Sequence, residues 1–184
     1  MSLPRVLAVS LLSVLALGAC ERKKPADAAV PPSSQTAAIA PLSFGITLKA
    51  AGCHQRCASF KAEWLSFPAQ PALDAALRQV AEAPQGGDVE SALHRLGEGF
   101  LADAAAAGEP WEQVLKASSL PGLNDVSVID TENYSYTGGA HGMTAVAYVN
   151  WDRRLGRVLK LADVILPGQE PAFWREAQRA HQVW

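Results

Sequence analysis

One histidine, His141, stands among three glycines in Gly138-Gly139-Ala140-His141-Gly142, directly after Tyr134-Ser135-Tyr136-Thr137. Residues of these types do two kinds of chemistry. An imidazole beside a carboxylate is a general base, and Asp130, Glu132 and Asp152 are the carboxylates nearest in sequence. Glycine-rich backbone instead exposes N–H donors and adopts φ angles that a Cβ disfavours, and with two tyrosines it makes a surface for acceptor oxygens, sugars or protein. A plain hairpin connection whose histidine faces water accommodates the same residues. No Gly-x-Ser-x-Gly elbow, His-Glu-x-x-His helix or P-loop occurs in the chain. The candidate ligand-binding residues are therefore Tyr134, Tyr136, Thr137, Gly138, Gly139, Ala140, His141 and Gly142. No catalytic residue, metal or cofactor is assigned, and a histidine-dependent hydrolase of the cell envelope is the alternative.

The three cysteines carry the other chemistry. Arg5, an apolar run from Val6 to Leu17 and then Leu17-Gly18-Ala19-Cys20 follow the order of a bacterial lipoprotein signal, in which the thiol of Cys20 is acylated. The run is too short to span a bilayer stably. Two or three acyl chains on one cysteine, at about 0.8 kcal/mol per buried methylene, would anchor the protein to the lipid bilayer. Residues 1–19 are thus expected to be a signal peptide and the mature chain to face the periplasm. Glu21, in place of the aspartate common in retained lipoproteins, favours the outer membrane. Outside the cytoplasm thiols oxidise, so Cys53 and Cys57 are expected to form a disulfide. A metal site from Cys53, His54 and Cys57 is the competing reading, weakened because no fourth ligand is near.

These residues need elements to hold them. From Glu21 to Pro41 the chain is rich in Ala, Pro, Ser and Thr, too poor in bulky apolar groups to offset chain entropy, so residues 20–41 are expected to be a lipidated linker. Leu42, Phe44, Ile46 and Leu48 alternate with polar or small residues, predicting a half-buried strand, and Ala58 to Trp64 alternates likewise. The two should pair antiparallel, with the cysteines in their connection. Pro71 opens a helix bearing Leu73, Leu77 and Val80. Asp88 caps a second one, whose stripe is Val89, Leu93, Leu96 and Phe100 and whose Gly97 and Gly99 allow close approach to the sheet. His94 is expected to be an ordinary surface or boundary histidine.

Downstream, a short helix is expected around Trp111 to Ala117, then a loop from Ser119 to Asp125. Val126 to Thr137 is β-rich, with Val126, Val128, Tyr134 and Tyr136 on one parity, and Met143 to Trp151 alternates so evenly that it is expected to be a central strand. Val158 and Leu159 begin another strand, and Leu161 to Leu166 a helical turn stopped by Pro167-Gly168. Pro171 to Trp184 forms a helix with Phe173, Ala177, Ala180 and Trp184 on one stripe. A helix that stops on tryptophan leads to the expectation that the domain is incomplete at its C-terminus.

Tyr134-Ser135-Tyr136-Thr137-Gly138-Gly139-Ala140-His141-Gly142, the strand to Trp151 and the turn Leu159-Lys160-Leu161-Ala162-Asp163-Val164 resemble the extracytoplasmic domain shared by RsiV-type lysozyme-sensing anti-sigma factors and the accessory domain of PdaC-type peptidoglycan deacetylases. Phe60 to Val80 is similar to that family's opening strand, proline and helix. The resemblance spans residues 42–184 and implies an α+β domain, an antiparallel sheet with helices packed on one face. It also implies recognition of lysozyme. The transmembrane and cytoplasmic segments of an anti-sigma factor and the catalytic deacetylase domain have no counterpart in the sequence, so neither sigma-factor signalling nor catalysis is carried over.

With 16 basic and 18 acidic side chains, and Lys and Arg scattered apart from the short Arg22-Lys23-Lys24 cluster, no nucleic-acid partner is expected. The expected function is a membrane-anchored, non-catalytic binding module for peptidoglycan or a lysozyme-like wall-degrading enzyme. A truncated fragment without independent function is the remaining alternative.

Overall fold

The computed structural model describes residues 39–184. The expected signal segment, Cys20 and nearly all of the expected linker lie outside the described residues. Ile39, within the stretch expected to be linker, packs against the core.

Two strands begin the domain, β1 (Leu42–Lys49) and β2 (Ser59–Ser66), paired antiparallel with Ile46 opposite Ala62 and Phe44 opposite Trp64. The connection between them carries the expected disulfide, Cys53–Cys57. Helix α1 (Pro71–Val80) has proline in its first turn, where no N–H partner is lost. Asp74 ties it to the end of β2, accepting from the Phe67 backbone N–H at 2.6 Å and from Ser66 Oγ at 3.2 Å. Helix α2 (Val89–Ala107) starts at Asp88, whose side chain accepts from Ser91 N–H, and ends at Gly108 in the left-handed region. That hydrogen bond holds the Asp88 carboxyl below its ordinary value. Between the helices, Arg78 and Arg95 donate to the carbonyls of Gly87 and Gly86, both at 2.6 Å.

Both helices cover one face of the sheet. Leu73 and Leu77 of α1, Ala92 and Leu93 of α2, and Phe60, Ala62, Trp64 and Leu115 from the strands form a fully enclosed core. Gly97 lets α2 approach: a Cβ there would lie 2.5 Å from a Phe60 ring carbon and 2.8 Å from Leu48 Cδ1. Gly99 has no such role, for nothing lies within 4 Å of the equivalent position.

After α2 the chain departs from one expectation. Residues 112–120 are not helical; they form β3 (Glu112–Leu120), parallel to β2 and antiparallel to β4 (Val126–Tyr136). Leu115 is the reason: as a strand residue it enters the enclosed core beside Ala62, with which it is in register, a position that local helix propensity does not anticipate. Strand β5 (Met143–Asp152) pairs antiparallel with β4, and β6 (Arg157–Val158) pairs only with Trp151 and Asp152. The order is β1-β2-β3-β4-β5-β6, mostly antiparallel with one parallel step, an α+β fold.

The position of β5 corrects a second expectation. It is not central: from Met143 to Asn150 it has a strand partner on one side only among the described residues. Its even alternation arises because both faces of its first half are exposed, not because both are covered. In β4 the residues facing α1 and α2 are Ile129 and Thr131, both buried, so the Val126, Val128, Tyr134, Tyr136 parity lies on the face opposite those two helices.

Beyond β6, α3 (Leu161–Val164) is a single turn, and α4 (Glu170–Gln182) buries none of its residues, Phe173 and Trp174 included. No helix among the described residues is long and apolar enough to cross a membrane.

Candidate functional site

The glycine-histidine stretch is the tip of the β4–β5 hairpin. The last register pair is Ser135 with Met143, and on its other side β4 is held as far as Tyr136 by pairing with Glu112 of β3. The tip therefore springs from a three-stranded base. Gly138 and Gly139 have φ of +102° and +94°, which side chains with a Cβ rarely adopt.

Its own tyrosines shape the tip. Tyr134 and Tyr136 alternate onto the face opposite α1 and α2. Tyr136 Oη donates to Gly139 O at 3.0 Å, folding the turn back on its strand. The Tyr134 side chain lies over Gly142 so closely that a Cβ there would sit 2.5 Å from two ring carbons and from the hydroxyl oxygen. Both tyrosines are half-buried in this internal packing, and Thr137, Gly139, Ala140 and His141 are the exposed members. His141 Nδ1 lies 3.0 Å from Gly142 O, and since a carbonyl only accepts, the proton is assigned to Nδ1. In the neutral ring Nε2 is then an acceptor.

The backbone N–H groups of Gly138, Gly139, Ala140 and His141 have no protein acceptor among the described residues. Four successive donors on a largely exposed turn can receive carbonyl, hydroxyl or carboxylate oxygens. The carboxylates considered as partners for His141 are not gathered around it. Asp152 stands at the far end of β5, roughly 30 Å along the strand at 3.4 Å per residue, and accepts there from the N–H groups of Arg154 and Leu155. Glu132 lies roughly 13 Å back from Tyr136 along β4, and Asp130 further still. Cys53 and Cys57 are consumed in their disulfide, and among the described residues no cluster of three metal-ligating side chains occurs.

At the other end of the face opposite α1 and α2 lies a feature that sequence reasoning did not single out. Leu123, Val126, Val128, Leu159, Leu161 and Val164 line an apolar groove of about 530 Å³, with Asn124, Asn150 and Lys160 at its polar positions. The signal was present in the parity of Val126 and Val128, but the groove needs the α3 turn above it. Asp163 organises that turn, accepting from both Nη atoms of Arg157 at 2.9 Å and from the Lys160 backbone N–H at 2.7 Å. The Arg157 guanidinium, helped by that N–H, holds the Asp163 carboxyl down at about 2.

The sequence matches no family model and no curated protein. The fold is similar to that of a DUF3298 family protein from Pseudomonas aeruginosa, with 31% identity and a TM-score of 0.66 over 80% of this chain and 67% of that one. A DUF3298 family member from Bacteroides fragilis shares the fold at 16% identity and a TM-score of 0.62, over 80% of this chain and 71% of its own.

Proposed function

This chain belongs to the DUF3298 family, and from that premise we propose that it is an extracytoplasmic, non-catalytic recognition module of the RsiV and PdaC type. Cys20 tethers it to the outer membrane facing the periplasm, and the β4–β5 tip recognises a cell-wall component or a wall-degrading enzyme such as lysozyme. One observation carries the reading: four consecutive backbone N–H groups, from Gly138 to His141, point to no protein acceptor while two tyrosines and Gly142 brace the turn that presents them. A braced tip loses little freedom on binding, which favours affinity. His141 contributes its Nε2 acceptor from an exposed position.

The test is capture of hen lysozyme and of defined peptidoglycan fragments by the immobilised chain. Saturable binding of one of them is expected, and His141→Ala should weaken it about tenfold, or 1.4 kcal/mol. Failure to bind either ligand overturns the recognition reading, and binding unchanged in His141→Ala and Gly139→Val moves it away from the tip. Turnover of wall polymers or acyl esters would replace a binding role with a hydrolytic one. The tether is tested separately, by palmitate labelling that should disappear in Cys20→Ala.

A further inference from the structure

Ala145 and Ala147 stand opposite Asn133 and Thr131 on the face of the sheet that carries α1 and α2. Both alanines are small, and a cavity of about 90 Å³ lies between them and the end of α1, with the buried Trp64 and Leu115 at its inner side. At roughly 30 Å³ per water it has room for about three non-hydrogen atoms, a functional group rather than a sugar ring.

The polar groups around it are of two opposed kinds. Trp64 lines the cavity from β2 and is only 2% exposed, yet its indole N–H meets no acceptor among the described residues. A buried donor left unmet is costly, so an acceptor brought in by a ligand is favoured there. On the α1 side the last carbonyls are the acceptors. The helical donor for Val80 O would be residue 84, which is Pro84 and has no N–H, and Ala81 O likewise receives no backbone donor among the described residues. Between the two kinds lies apolar surface from Leu115, Val80 and the alanines.

We infer that this cavity is a subsite for the acetamido group of an N-acetylated sugar. The amide oxygen accepts from the Trp64 indole N–H, the amide N–H donates to the carbonyl end of α1, and the methyl group packs on Leu115 and the two alanines. Charge argues against the simpler ligands. An anion would meet the negative end of the α1 dipole and the exposed Glu82. A cation would leave the Trp64 donor unmet, whereas a neutral amide satisfies both ends. A sugar is the carrier because the more exposed lining residues, Glu82 and Asn133, have side chains that hydrogen-bond hydroxyl groups. The inference rests on the proposed function only in taking the ligand from the cell wall. The site lies on the face opposite Tyr134 and Tyr136 and uses no residue of the tip.

NMR titration of the isotope-labelled full chain with triacetylchitotriose tests this, with cellotriose, which carries hydroxyls in place of the acetamido groups, as the comparison. The acetylated sugar should shift the Trp64 indole resonance and the Ala145 and Ala147 amides saturably, and cellotriose should bind at least tenfold more weakly. Ala145→Leu, a change at an exposed position, fills the cavity and should weaken the acetylated sugar at least tenfold. Equal binding of the two sugars by the wild-type chain overturns the inference, as does a folded Ala145→Leu chain that binds like the wild type. A Trp64 indole unmoved at about 10 mM sugar overturns it too and leaves the cavity to water. The Gly138 to His141 amides report on the tip in the same spectra. Shifts there beside a still indole overturn the cavity subsite and leave the recognition reading standing, whereas a moving indole beside silent tip amides supports the subsite and moves recognition away from the tip.

Discussion

Phe60 in β2 is sealed between α2 and the sheet, whereas Val146, three strands away in β5, stands half exposed and pairs with β4 alone among the described residues. The first half of the sheet is held by volume: Phe60, Trp64, Leu73, Leu77, Leu93 and Leu115 exclude water completely, and Gly97 is needed because nothing larger fits. The β4–β5 hairpin is held by the backbone ladder and local contacts such as Tyr136 Oη to Gly139 O. The difference teaches where function can sit. A core position answers to packing and admits little change, while a ladder-held tip keeps its shape with its polar groups still turned outward.

The contrast is broken most severely at the core. Phe60→Ala should lower stability by about 3–5 kcal/mol, read by denaturant unfolding, because it opens a cavity under α2. Replacing both Cys53 and Cys57 by serine should cost about 2 kcal/mol, the loop-closure entropy of so short a ring, without altering ligand capture. Tyr136→Phe, which removes one hydrogen bond at the tip, should cost about 0.5–1.5 kcal/mol at most. Its larger effect should fall on capture of whatever the tip binds. His141→Ala should change stability by less than about 0.5 kcal/mol, since the side chain is exposed. A loss at His141 comparable to that at Phe60 would mean that the tip, too, is part of the packed structure.

The most local effect is one of pH. Asp163 titrates at about 2 in the folded chain, below the ordinary aspartate value of 3.8, because the Arg157 guanidinium favours its ionised form. A carboxyl depressed on folding contributes stability above its unfolded value and loses that contribution as pH falls through the folded one. The α3 turn should therefore loosen between about pH 4 and pH 2, seen as shifts of the Leu161 to Val164 amide resonances in NMR spectra. Asp163→Asn should abolish that step while leaving the core resonances unmoved.

Much of the covered half could be read directly. Alternation in β1 and β2, Pro71 at the start of α1, the Asp88 cap and the stripe of α2 are local signals, and the tertiary structure agrees with each. The tip was legible too, since three glycines around one histidine mark a turn wherever they occur. Less legible were β3, where Glu112 to Ala117 suits a helix as well as a strand, and the status of β5. Its alternation describes a strand with two similar faces and is silent on whether both are covered or both bare.

By itself, then, the sequence determined the local units: the disulfide-closed β1–β2 hairpin, the two helices with their caps, and a glycine-rich turn carrying His141. Tertiary packing alone placed β3 between β2 and β4, turned Ile129 and Thr131 rather than Val128 and Tyr134 towards α1 and α2, and paired the first half of β5 with β4 alone among the described residues. The physical reason is range. Caps, turns and periodicity act over a few residues, whereas strand neighbours are chosen by burial between segments tens of residues apart, and Leu115 enters the core only when β2 and α2 are already there to enclose it.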